Sequence, residues 1–115
     1  MLNQVVLVGR LVGTPEVVEQ DDGKKRANMT LAVPRNYKNA DGEYETDFID
    51  CNLWGVVAQN TAEYCKKGDL VGIRGRIETS ISNQEDKTKK YTNIMAEKVT
   101  FLSTKAPQEK DNESR

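Results

Sequence analysis

The chain offers two thiols, Cys51 and Cys65, and no imidazole. Without histidine there is no Ser-His-Asp or Cys-His pair to activate a nucleophile. Two cysteines alone cannot complete a four-ligand zinc site. The acids are scattered, with no Asp-x-Asp loop followed by a Glu at calcium-binding spacing. Gly23-Lys24 is not a phosphate loop, since Val18 stands where its first glycine belongs and Lys25 follows where Ser or Thr is required. The expectation is no catalytic residue, no metal, no cofactor and no enzyme. Both cysteines read as free, buried small hydrophobes of a reducing compartment.

A binding surface is better supplied. In Phe48-Ile49-Asp50-Cys51-Asn52-Leu53-Trp54, a period of two puts Ile49, Cys51 and Leu53 on a core face. Phe48, Asp50, Asn52 and Trp54 then share the other face, which its two polar members mark as solvated. Two large aromatics in water are a stronger clue than any number of buried ones. A later segment sets Arg74 and Arg76 opposite Ile73 and Ile77, and a loop adds Arg35, Tyr37 and Lys38. Rings interleaved with cations make a platform on which bases stack while phosphates are neutralised. The residues also allow a second reading, with Phe48 and Trp54 in a subunit interface and Arg74 and Arg76 as solvated charges or ion-pair partners of Asp50 and Glu78. Tyr64 reads as helix packing, and Tyr91 and Phe101 read as core.

These residues need a scaffold. Val5 to Val12 is a β-branched run broken by Gly9-Arg10, a strand that bends and stops at Thr14-Pro15. Arg26 to Val33 alternates, with Ala27, Met29, Leu31 and Val33 inward, and Pro34 closes it. Residues 36–45 form a polar loop around Asp41-Gly42, a hairpin signal before the strand 48–54. From Val57 to Lys67 the period changes, Ala58, Thr61, Ala62 and Cys65 marking one face of a short helix with Gly68 as its stop. Leu70 to Thr79 is a strand, 83–90 a charged exposed loop, and Tyr91 to Leu102 a last strand with a bulge near Glu97-Lys98. Five strands with one helix between the third and fourth match an all-β, five-stranded Greek-key barrel, the OB-fold.

At 115 residues, 37% hydrophobic and 30% charged, the chain suits one globular domain. The expected boundaries are a domain over 1–104 and a disordered tail over 105–115, where apolar side chains all but vanish. No apolar run reaches membrane-span length, and Met1 leads into Asn3-Gln4 without a basic secretory n-region, so a cytoplasmic, nucleoid-associated protein is expected. Seventeen basic against 18 acidic residues give a net charge of −1, which argues against binding a polyanion by bulk charge. Placement answers this if Asp21, Asp22, Asp41, Glu43, Glu45, Glu85 and Asp86 occupy turns while the cations flank the aromatic face.

The chain also resembles the bacterial single-stranded DNA-binding protein (SSB) family. The resemblance rests on Asn3 to Leu11, Thr30 to Val33, Gly42-Glu43 with Asp47-Phe48, Leu53-Trp54-Gly55, Tyr64 to Gly68 and Gly75-Arg76-Ile77. It covers residues 1 to about 102 and implies a homotetramer of OB-folds that wraps single-stranded DNA without catalysis. It carries the stacking aromatics onto Tyr37, Phe48 and Trp54, and the basic contacts onto Arg10, Arg35, Lys38, Lys67, Arg74 and Arg76. Two features depart from the family pattern. Ser82 stands where many members have a stacking ring, so that segment is expected to stack less. The end at Lys110 to Arg115 has no acidic tip with Pro-Phe, which implies either a truncated chain or a short paralogue, and in both cases weak or no recruitment of replication and repair enzymes. The competing readings are a primosome-type OB protein that bridges single-stranded DNA to a helicase, or an OB module used for protein–protein assembly.

Overall fold

The computed structural model describes residues 1–104, and the tail expected over 105–115 lies outside the described residues. Six strands and one helix follow in the order β1 (Val5–Leu11), β2 (Glu16–Glu19), β3 (Lys25–Lys38), β4 (Tyr44–Trp54), α1 (Gly55–Tyr64), β5 (Leu70–Gln84) and β6 (Lys87–Ser103). The strands are ordered β1-β5-β6-β4-β3-β2, and a further β1–β3 pairing closes five of them into a barrel, with β2 added to the edge of β3. This is the expected OB-fold with its helix after β4. The added β2 is only Glu-Val-Val-Glu, too short to show a period.

Closure depends on β1 changing partner. Its residues pair with β5 along most of the strand, and Arg10 and Leu11 also pair with Ala32 and Leu31 of β3. Gly9 sits at that corner, where a methyl group would stand 2.7 Å from the Ala32 carbonyl oxygen and 2.9 Å from Val33 Cγ2. Only a glycine lets the two backbones approach so closely. Inside, Leu11, Ala27, Met29, Leu31, Cys51, Leu53, Ala58, Cys65, Val71, Ile73 and Ala96 form one buried cluster. The inward sets foreseen for β3 and β4 are all present, although Val33 and Ile49 are only partly buried. Both cysteines are free and buried, as their neighbours require.

Several expectations are corrected. Pro34 does not end β3; it pairs with Thr46, and the ladder resumes at Lys38–Tyr44 after an irregularity. Helix α1 stops at Tyr64 because Cys65 turns extended (φ −119°, ψ 142°) while its N–H still reaches the Thr61 carbonyl at 2.9 Å. Lys66 and Lys67 therefore lie past the helix, in a turn that the Asp69 carboxylate braces by accepting the Lys66 N–H at 2.8 Å. Residues 83–90 are no open loop: β5 and β6 stay paired out to Gln84–Lys87, and Glu85 and Asp86, both at positive φ, form a two-residue hairpin turn. The arm from Glu78 to Asn93 extends past the β4–β6 pairing at Ile94, its residues are almost all exposed, and no alternation marks it. Ile77 and Tyr91 on β5 and β6, Tyr64 at the end of α1 and Phe101 near the end of β6 are exposed rather than packed. The bulge does lie where the apolar phase shifts, since Arg74 pairs with Lys98 and Gly75 with Ala96, leaving Glu97 extra. No helix among the described residues is long and apolar enough to cross a membrane.

Candidate nucleic-acid interface

Strand β4 carries the candidate surface. Residues opposite one another in a ladder project from the same side of the sheet. On the outer side Phe48 lies opposite Ala32, Asp50 opposite Thr30, Asn52 opposite Asn28 and Trp54 opposite Arg26. Phe48 is 67% exposed and Trp54 37%, while Cys51 and Leu53 behind them are fully buried. The two rings thus flank a polar centre, where the Thr30 hydroxyl donates to Asp50 Oδ1 at 2.6 Å and the Asn52 amide meets Met95 Sδ at 3.9 Å. Trp54 ends its strand because Gly55 takes a positive φ (63°) that sends the chain into α1. Beside it an open groove of about 590 Å³ is lined by Gly23, Lys24, Lys25, Trp54, Val56 and Gln59 among others.

The predicted residues divide into those this face gathers and those it does not. Arg10 lies opposite Ala32, which lies opposite Phe48, so the three form one row across β1, β3 and β4. Arg10 Nη1 also donates to the Gly68 carbonyl at 3.0 Å, drawing it toward the turn that carries Lys67. A second row runs Asn28, Asn52, Met95, Arg76 across β3, β4, β6 and β5. Tyr37 and Lys38 are exposed near the tip of the β3–β4 hairpin. Arg74 faces out between Val6 and Lys98 on the β1–β5–β6 side.

Charge placement is less favourable than expected. Arg35 makes a forked pair with Asp47 (Nη2–Oδ1 2.9 Å, Nε–Oδ2 3.1 Å) and reaches Glu45 Oε1 at 3.1 Å. Glu45 and Asp47 alternate with Thr46 and Phe48, so they hold Arg35 on the reverse of the aromatic ribbon. The pair raises the Arg35 pKa still further and holds the Asp47 carboxyl below its ordinary range. Arg76 is bound by Glu97 at 2.7 Å and Glu78 at 2.6 Å, which also raise its pKa. Not all acids sit in turns: each of these arginines carries two carboxylates with it.

Two residues escaped the sequence reading. Tyr44 continues the Phe48 side of β4 by the same alternation, and Lys38 Nζ lies 5.7 Å from its ring centre. The period-two argument, extended four residues toward the turn, would have found it. Arg26 lies opposite Trp54, a relation that only the β3–β4 register reveals.

Comparison with known proteins agrees with this geometry. The profile of the "Single-strand binding protein family" matches residues 2–102. The chain is 48% identical over 111 residues to Single-stranded DNA-binding protein B of Bacillus subtilis (strain 168), covering 96% of this chain and 97% of that one. It is 49% identical over 109 residues to the Single-stranded DNA-binding protein of Halalkalibacterium halodurans, covering 94% of this chain and 65% of that one. Among solved structures, a deletion mutant of the single-stranded DNA binding protein from Thermus aquaticus superposes with a TM-score of 0.75 over 89% of this chain and 51% of that chain. At 24% identity that likeness shows the fold alone. With a closed five-stranded barrel, an exposed aromatic face and a family match over nearly all the described residues, the chain belongs to the single-strand binding protein family.

Proposed function

We propose that this chain coats single-stranded DNA without regard to sequence, stacking bases on Phe48 and Trp54 and, at the hairpin tip, on Tyr37 and Tyr44. Arg10, Arg26, Lys38, Lys67 and Arg74 meet the phosphates, whereas Arg35 and Arg76 do so only by giving up carboxylate partners. The observation that carries this reading is the exposure of two rings on one wet sheet face, with Asp50 and Asn52 between them. Stacking tolerates any base because every base has a π-face. Family membership makes the chain a binding protein and not an enzyme.

The chain acts as a homotetramer in the cytoplasm, on DNA exposed during replication, recombination, repair or uptake. Support for assembly comes from Val6 and Val8 on β1 and Leu102 on β6, all exposed and apolar on an outer sheet face. Trp54 is the only tryptophan, so poly-dT should quench most of the intrinsic tryptophan fluorescence. Quenching should be stoichiometric at low salt and weaken as salt rises, through counterion release. Fluorescence indifferent to poly-dT would refute the reading. Light scattering should give a tetramer; a dimer would favour a primosome-type protein that bridges the strand to a helicase.

A further inference from the structure

Asp69 carries one of the few polar side chains buried among the described residues, at 7% exposure, and it takes no part in the aromatic face. A carboxylate is costly to bury unless a donor meets it. Asp69 Oδ2 accepts the Lys66 N–H at 2.8 Å, and the Asp69 N–H returns a hydrogen bond to the Lys66 carbonyl at 3.0 Å. The two residues therefore close the turn Lys66-Lys67-Gly68-Asp69 from both ends. Gly68, third in the turn, has the positive φ (92°) that a type II turn needs there.

The same turn is tied to the end of β1. The Gly68 N–H donates to the Leu11 carbonyl at 2.8 Å, and the Leu11 N–H donates to the Asp69 carbonyl at 2.9 Å. The Lys67 N–H donates to Thr14 Oγ1 at 3.1 Å, and the Gly68 carbonyl accepts Arg10 Nη1 at 3.0 Å. The backbone on both sides of Lys67 is thus fixed, while the Lys67 side chain at the apex is exposed. Arg10 in turn begins the row that runs through Ala32 to Phe48. One turn sets where two cations stand relative to one ring. A binding group held in place before its ligand arrives loses little entropy on binding.

Resting on the proposed binding of single-stranded DNA, we infer that Asp69 is a positioning residue: through the turn it closes, it holds Lys67 and Arg10 as one phosphate-binding pair at the Phe48 end of the aromatic face. Asp69 touches no DNA. Its part is the hydrogen bond it accepts from the Lys66 N–H, so a neutral acceptor of the same shape serves as well and a side chain without an acceptor does not. Without that bond the turn loosens, and Lys67 meets a phosphate no better than a lysine in an open loop.

The test is a double-mutant cycle in the whole chain, with Asp69→Ala, Lys67→Ala and both together, and Asp69→Asn as the conservative variant. Each protein is titrated with oligo-dT by Trp54 fluorescence at several salt concentrations. Lys67→Ala should reduce the slope of log affinity against log salt by about one phosphate contact. Asp69→Ala should reduce it at least as much, although it removes a negative charge, and the double variant should bind no worse than Asp69→Ala. Asp69→Asn should bind as wild type. Additive losses in the double variant, a wild-type slope in Asp69→Ala, or an Asp69→Asn protein as weak as Asp69→Ala would each overturn the inference. Thr14→Val removes only the exposed acceptor of the Lys67 N–H and decides the matter if Asp69→Ala does not fold. A reduced slope in Thr14→Val supports the inference, and an unchanged one refutes it. No quenching even in wild type would overturn the binding reading as well, whereas normal quenching with unaltered slopes overturns the role of Asp69 alone.

Discussion

Arg26 and Trp54 lie opposite each other in the β3–β4 ladder, so the guanidinium stem and the indole rise from the same outer face of the barrel. Arg26 is half-buried and appears in no ion pair among the described residues. A base stacked on the indole would bring its phosphate near a cation fixed by the sheet rather than by a loop. Trp54→Ala should therefore cost about 1–3 kcal/mol of affinity for oligo-dT, the usual worth of one stacked base. Arg26→Ala should cost less and reduce the slope of log affinity against log salt by about one phosphate contact. Titrations at four or five salt concentrations separate the two; an unchanged slope in Arg26→Ala would remove that residue from the interface.

Arg35 is expected to behave differently from the other cations. Its forked pair with Asp47 and its reach to Glu45 tie the two strands of the hairpin together on the reverse of the aromatic ribbon. Arg35→Ala should lower the melting temperature and leave the salt slope of DNA binding close to wild type. The pH dependence has a definite sign. Asp47 is held below its ordinary value chiefly by the hydrogen bonds from Arg35. Its stabilisation is therefore present above the unfolded-state pKa and is lost as pH falls through the lower folded one. Melting curves of wild type and Arg35→Ala should differ at neutral pH and converge once acid has taken the pH below the lowered folded-state pKa of Asp47. A gap that persists in acid would mean that the pair is not what Arg35 contributes.

The sequence was most legible where one face is buried. Strand β4 has a dry side and a wet side, so the alternation of Cys51 and Leu53 with Phe48 and Trp54 shows which side is core and which is open to water. The β5–β6 arm reads as a loop because it has both sides in water, which leaves a charged stretch without a period. Its turn, Glu85-Asp86, also lacks the usual Asn-Gly or Asp-Gly signal for positive φ. Tyr91 looked like core because a ring in a strand normally faces inward, and only pairing with the exposed Ser80 shows otherwise. Charge follows a related rule. Glu45, Asp47 and Glu97 are adjacent to their arginines through register and bulge, which spacing along the chain does not show, whereas Glu78, two residues from Arg76 on β5, is the partner that the second reading of these residues allowed.

Barrel closure makes a separate prediction. Gly9 marks the point where β1 turns from β5 toward β3, and the Ala32 carbonyl blocks any added methyl. Gly9→Ala must push two paired backbones apart, whereas Gly13→Ala, with open space around it, should be nearly neutral. For scale, Leu53→Ala, which empties a fully buried site in the core, should cost about 2–5 kcal/mol. Urea denaturation of the three variants ranks them, and a silent Gly9→Ala would show that the corner has slack.

Cys51 links the core to the face above it. Its thiol is fully buried between Ile49 and Leu53, and burial first, then the nearby Asp50 carboxylate, push its pKa up to about 11. Native protein should therefore react slowly with a thiol reagent at pH 8, and unfolding in guanidinium should release two reactive thiols. A raised folded-state pKa means the stabilisation is complete below the unfolded value near 9 and declines as pH rises toward 11. Cys51→Ala removes the ionisable group and should flatten the alkaline limb of the stability curve, at some cost in core packing at neutral pH. Because Asp50 sits on the outer side of β4 while Cys51 faces inward, Asp50→Asn should also lower the Cys51 pKa and so reduce the loss of stability at alkaline pH, without creating a cavity. If neither substitution changes stability between pH 9 and 11, the alkaline transition belongs to groups other than Cys51.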